Sequence, residues 1–324
     1  MNTTLTSASS RILYDEAQKI GIKCTTFGDD EIIYMEKNGK SWYVRGSRTS
    51  LQSSVGKTIA DLKPLTKKIL LYNKIPTAKG VVIHHVEEIQ RLSELTFPLV
   101  AKPIDERHGK GVVMSITDKG MAEKVYKNQH SDMLFEETLS GIEYRIICVN
   151  FKFIAAAFRK PAHVVGDGKH TISELIAEKN KHPWRGKGHI NNLTLIECDE
   201  MLLVYIKKQG KDLQSIPKDG EEVLLRQTAN LSTGGEAWDV SDQVCEENKR
   251  LFEKIATVCD LNTIGIDMMC TSISEPIVNQ KHAGVIEVNA SAGLRMHHFP
   301  IKGKAINVAG KILEMVLKEK HIQL

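Results

Sequence analysis

The chain has 324 residues, 41% hydrophobic and 26% charged, with a formal net charge of +4. That is an ordinary soluble composition, long enough for one large domain or two to three small ones, and no apolar run could cross a bilayer. Lysines and acids are interspersed, so nothing compels a nucleic-acid or membrane partner, and a basic site for phosphates explains the surplus equally well.

The polar start, residues 1–10, has no charged-then-apolar leader, and a cytoplasmic location is expected. Six cysteines without C-x-x-C or zinc-like spacing read as buried thiols in a reducing compartment. Residues 9–20 carry apolar positions at 12, 13, 17 and 20, a helical spacing that Gly21 ends. Residues 31–36 and 41–45 read as strands of a hairpin around Lys37, Asn38 and Gly39. Residues 58–73 are helical in pattern, with Pro64 tolerated if a new helix begins there in its first turn. Lys63, Lys67 and Lys68 at that start read, taken alone, as a solvated basic face.

A strand over 80–85, a helix over 87–95 and a short buried strand over 97–103 containing Lys102 come next. Residues 105–113 set Gly109 and Gly111 among Arg107, His108 and Lys110. Glycine N–H groups and positive charge suit a hairpin that covers phosphates, although most G-x-G pairs are only turns. Residues 133–147 read as strand, turn, strand, with Glu136 and Glu137 before the turn and Glu143 after it. Those acids are either solvated strand ends or a nucleotide hinge.

From 161 to about 222 the chain turns polar and reads as a surface insertion, with a helix over 173–179, a basic stretch over 179–189 and strands over 194–196 and 202–207. Residues 224–235 gather Arg226, Asn230, Ser232 and two glycines, which is either an anion-binding loop or a plain turn. Residues 242–258 are an amphipathic helix with Asp242 as a possible cap, and 304–318 form another.

Two apolar runs carry oxygen ligands. Glu287 and Asn289 would share one face of a strand, and Asp267 sits within residues 263–270. Positions 267 and 287 are equidistant from 277, so an antiparallel pair would set the two acids side by side. Either acid alone could be a solvent-facing strand residue; together with Asn289 they favour a hard cation such as Mg²⁺.

The order of these features resembles the ATP-grasp superfamily, whose members join a carboxylate to an amine using ATP. The features are a lysine-bearing helix start, V-A-K-P at 100–103, a glycine hairpin, E-E-x-L-x-G-x-E at 136–143, an arginine loop and the Asp267 and Glu287 strands. Three further motifs are P-A-H-V-V-G-D-G-x-H-T-I at 161–172, A-N-L-S-T-G-G at 229–235 and E-V-N-A-x-x-G-L-R-M-H at 287–297. These resemble the ATP-grasp region of cyanophycin synthetase and of bifunctional glutathione synthetases, over about residues 58–310.

The resemblance implies an α+β ATP-grasp fold, with the nucleotide held between two mainly antiparallel α+β subdomains. A small N-terminal unit would cover 1–62 and the ATP-grasp domain 63–324, with a glycine-loop lid at about 97–138 and the insertion at about 161–222. Lys63, with Lys67 as the alternative, and Lys102 are implied to bind the phosphates of ATP, and Gly109 and Gly111 to close over them. Glu136, Glu137 and Leu139 take hinge positions at adenine, and Glu143 bonds the ribose. Asp267, Glu287 and Asn289 hold Mg²⁺, as two ions, with Mn²⁺ a substitute. Arg226 is implied near the transferring phosphoryl group, with Asn230, Ser232, Gly293 and Arg295 facing the acyl substrate.

Two departures stand out: Leu62-Lys63 where the family commonly has Asp-Lys, and Ala292 where a proline commonly precedes the glycine. The additional N-terminal domain and second ligase domain of cyanophycin synthetase have no counterpart here, so cyanophycin itself is not the expected product. The expected function is an ATP-dependent carboxylate-amine ligase acting on small amino-acid or peptide substrates through an acyl phosphate, with the homodimer common in the family as the expected assembly. The alternatives are a glutathione-synthetase-like tripeptide-forming enzyme, a catalytically silent ATP-binding regulatory module, and an RNA-binding protein resting only on residues 179–189.

Overall fold

The structure is a computed structural model that describes residues 5–27, 31–105, 111–129, 131–188 and 191–322. It divides into two compact units. One comprises Met1–Leu51, Ile154–Asp242 and Ser291–Leu324; the other comprises Gln52–Phe153 and Gln243–Ala290.

The second unit opens with helices Ser54–Asp61 and Lys63–Tyr72. The break at Leu62 puts Pro64 in the first turn of the new helix, where its missing N–H costs nothing. A four-stranded antiparallel sheet follows, in the order Gly80–Ile83, Met133–Glu137, Leu99–Pro103, Val113–Ile116. Its core is built from Val81, Ile83, Leu99, Ala101, Met133 and Phe135, with Ile89 and Leu92 packed on it. The segment expected as a helix over 87–95 is instead a 3-10 helix, Val86–Glu94.

The chain then leaves that sheet and enters another. Gly141 makes this possible: its φ is +123°, and a Cβ there would lie 2.5 Å from the Cys270 carbonyl carbon. Ile142–Val149 pairs antiparallel with Thr263–Cys270, which pairs antiparallel with Gly284–Asn289. The helix Glu246–Val258 packs on the first two of these strands. Asp242 does not cap it, as the cap position is Cys245; Asp242 lies in a separate 3-10 turn, Ser241–Gln243.

The first unit contains the helix Ala8–Lys19, capped by Ser7, whose side chain accepts from Ser10 N. The expected hairpin is present as Ile32–Lys37 and Lys40–Arg45, turned by Asn38 (φ 51°) and Gly39 (φ 73°). Lys23–Phe27 and Arg48–Thr49 complete a four-stranded sheet. The helix Val308–Glu319 packs against Ala8–Lys19.

The region from 161 to 225 has a core of its own, slightly beyond the expected insertion, in which Val164, Ile172, Ile176, Leu202, Ile206 and Val223 are buried together. The strand expected over 202–207 is a helix, Glu200–Lys208. Its β-prone run Leu-Leu-Val-Tyr-Ile misled the expectation. Asp199 caps the helix through Leu202 N at 2.9 Å, and the two buried residues, Leu202 and Ile206, stand four apart, the spacing of a helix face. The basic stretch over 179–189 is not wholly solvated either: Glu236 lies 2.8 Å from Lys179 Nζ and 2.9 Å from Arg185 Nη2, and Arg185 is buried. Among the described residues no helix is long and apolar enough to cross a membrane. Cys148, Cys259 and Cys270 are buried as expected, but Cys198 is exposed.

Candidate nucleotide and metal site

Strand register puts three charged residues in one row. Asp267 stands opposite Glu287 on one neighbouring strand and opposite Arg145 on the other, and directly opposed residues share a face. The pairing of Asp267 with Glu287 is the one expected from their spacing. Arg145 was not anticipated: it sits in an apolar run, and its partner is 122 residues away. Its Nε donates to Asp267 Oδ1 and its Nη2 to Oδ2 at 2.8 Å. Asn289, two along from Glu287, donates from Nδ2 to Glu287 Oε1 at 3.3 Å.

Asp267 is only 2% exposed. Glu287 is half-buried, and burial, then the Asp267 charge and a hydrogen bond with Asp267, hold its carboxyl above the ordinary value despite opposition from Arg145 and Asn289. Two crowded carboxylates beside an amide oxygen are a donor set that a hard divalent cation would satisfy. Among the described residues no three His, Cys, Asp or Glu side chains gather as a metal cluster, and the third oxygen of this set is the Asn289 amide.

In the same unit, Glu136 is buried between two lysines, with Oε1 2.5 Å from Lys67 Nζ and Oε2 2.5 Å from Lys102 Nζ. Lys67 also donates to Ala78 O at 2.6 Å and Thr77 Oγ1 at 3.1 Å, so it does not belong to a solvated basic face. Lys63 reaches Pro103 O and Ile104 O, each at 3.4 Å. Glu137 accepts from Thr96 N at 2.9 Å, and Leu139 is half-buried in the connection between the two sheets. Glu143, opposite Met269, lies on the face of the Arg145 row. Gly111 has φ +71°, and a Cβ there would come within 2.7 Å of Pro103 Cγ; Gly109 lies outside the described residues.

The remaining candidates belong to the other unit. Arg226 is buried and held bidentately by Asp199, Nη1 to Oδ1 at 2.6 Å and Nη2 to Oδ2 at 2.8 Å. Asn230 contacts Thr228 Oγ1 at 3.3 Å and precedes the 3-10 turn Leu231–Thr233, in which Ser232 is exposed. Arg295 is buried and donates to Asn191 O at 2.9 Å; Gly293 has open space where a Cβ would stand.

Comparison with known proteins gives relatives that include cyanophycin synthetases and bifunctional glutathione synthetases. The chain is 34% identical over 318 residues, 97% of its length, to cyanophycin synthetase of Trichormus variabilis. It is 32% identical over 317 residues, 95% of its length, to the glutathione biosynthesis bifunctional protein GshAB of Clostridium perfringens. The crystal structure of a bifunctional glutathione synthetase from Pasteurella multocida superposes on 96% of the chain with a TM-score of 0.77 and 28% identity. The chain belongs to the ATP-grasp superfamily.

This ATP-grasp chain spans 35% of the cyanophycin synthetase, 41% of GshAB and 43% of the Pasteurella multocida structure. No family model matches it. Its mixed helices and antiparallel sheets are the α+β architecture expected of an ATP-grasp fold, and the similarity includes the N-terminal residues that the motifs alone left unexplained.

Proposed function

We propose that the chain is an ATP-dependent carboxylate-amine ligase acting on small amino-acid or peptide substrates. The observation that supports it is the Asp267–Glu287–Asn289 oxygen set, in the same unit as the Lys67–Glu136–Lys102 group. A carboxylate is a poor electrophile at neutral pH. Its attack on the γ-phosphorus of ATP forms an acyl phosphate and releases ADP, and the amine then displaces phosphate to leave an amide.

Lys102, with Lys67 or Lys63, binds the phosphates in this proposal; Glu136, which the resemblance puts at the adenine hinge, is given instead the role of orienting the two lysines it pairs with. Glu137, Leu139 and Glu143 keep the hinge roles at adenine and ribose, and Gly109 and Gly111 belong to a loop that excludes water. Asp267, Glu287 and Asn289 would hold Mg²⁺, as two ions or with Mn²⁺ in its place, which would supply charge neutralisation at the phosphates. The proposal retains the roles that the resemblance implies for Arg226, Asn230 and Arg295.

The test is a screen of amino-acid and dipeptide pairs for ADP and phosphate release, with mass detection of the product. One pair should give ADP in step with an amide. If ATP stabilises the chain and no pair gives ADP, the silent regulatory reading replaces this one. A glutathione-synthetase-like activity is the second reading, supported by the similarity to the Pasteurella multocida structure over nearly the whole chain. It requires turnover restricted to a dipeptide acid and one amino acid. A homodimer, checked by light scattering, and a cytoplasmic location complete the proposal.

A further inference from the structure

Arg145 has no role in the chemistry proposed above, yet the strand register places it at the head of the Asp267–Glu287 row. Side-by-side carboxylates repel, and burial removes the water that would screen them. A cation that comes and goes cannot relieve this in its absence. Arg145 can, because it is part of the chain: its planar fork engages both oxygens of Asp267, and its charge acts on Glu287 as well.

We infer that Arg145 is the positioning residue of the cation site, a resident counter-charge that fixes the Asp267 carboxylate and keeps these three strands folded without metal. This rests on the reading of Asp267, Glu287 and Asn289 as cation ligands. An ordinary buried ion pair would contribute equally with and without metal. A counter-charge that shares its carboxylate with a cation would not, since either positive partner can stand in for the other.

The experiment is thermal unfolding of the full chain without nucleotide, in EDTA and in excess MgCl₂ at matched ionic strength. The variants are Arg145→Met, Arg145→Lys and the double variant Arg145→Met/Asp267→Asn. Wild type should respond little to Mg²⁺. Arg145→Met should melt on the order of 10 °C lower in EDTA and recover most of that loss with Mg²⁺. Arg145→Lys should fall between, because an ammonium supplies the charge without the fork. The double variant, having lost one of the two acids, should melt above Arg145→Met in EDTA and ignore Mg²⁺.

Equal losses for Arg145→Met in EDTA and in Mg²⁺, or no loss in either, overturn the inference. If Arg145→Met does not fold, the other two variants decide: a Mg²⁺-dependent loss in Arg145→Lys and a folded double variant support it, and their opposites overturn it. A chain in which no variant responds to Mg²⁺ overturns the inference together with the metal assignment. A Mg²⁺-rescued Arg145→Met in a protein that gives no ADP with any substrate pair overturns the ligase reading alone.

Discussion

Lys67 and Lys102 share one buried carboxylate: Glu136 Oε1 and Oε2 each lie 2.5 Å from a lysine Nζ. Burial alone would raise the Glu136 carboxyl, but Lys102 and then Lys67 outweigh it and hold the group below its ordinary 4.5. A depressed carboxyl contributes stability above its unfolded value and loses it as pH falls through the folded value. Glu136→Gln should therefore destabilise the chain by about 2–4 kcal/mol near neutrality, with the gap to wild type closing as pH falls below 4.5. Denaturant titration at several pH values checks it.

The same lysines should govern nucleotide binding. Lys102→Ala is expected to lower the thermal stabilisation that ATP gives. Lys67→Ala compared with Lys63→Ala decides which helix lysine serves with it, and an unchanged ATP shift in a variant removes that lysine from the site.

His298 supplies a second pH dependence. Its Nε2 accepts the Ala309 N–H at 3.1 Å, so the ring is neutral on that nitrogen and helps satisfy the start of the Val308–Glu319 helix. Burial lowers its pKa from 6.5 to about 4, with Glu16 opposing and Lys19 assisting. The unfolded chain binds more protons across that window, so this contribution is complete above 6.5 and falls as pH drops toward 4. His298→Gln should flatten the profile, losing about 1 kcal/mol less than wild type between about pH 7 and pH 5, after allowance for partial exposure. Parallel profiles for the two proteins contradict this.

Asp199 carries two tasks, capping Glu200–Lys208 and holding Arg226. Asparagine keeps the cap and loses the charge-paired fork; alanine loses both. Asp199→Ala should cost about 2–3 kcal/mol and Asp199→Asn roughly half of that, read by urea unfolding.

Legibility in the sequence followed distance along the chain. The Asp267–Glu287 pair could be read because both strands are short and near each other in sequence, even though the register shifts between Asp267 and Met268. The Asn38–Gly39 hairpin and the helix restarting before Pro64 were local for the same reason. Arg145 and the Lys67–Glu136 pairing were not legible: the partner acids lie 122 and 69 residues away, and only the fold brings them together. The Glu200–Lys208 helix was missed for a different reason. Its run Leu-Leu-Val-Tyr-Ile is β-prone, whereas the structure caps the helix at Asp199 and buries Leu202 and Ile206 on its inward face.

The central claim is that Asp267, Glu287 and Asn289 serve an ATP-dependent amide-forming reaction. The most direct measurement is substrate-dependent ADP release by Glu287→Ala beside wild type, with circular dichroism to confirm that both are folded. Wild type should release ADP in proportion to amide product, and the folded variant should release none above background. A folded Glu287→Ala with undiminished ADP release contradicts the account.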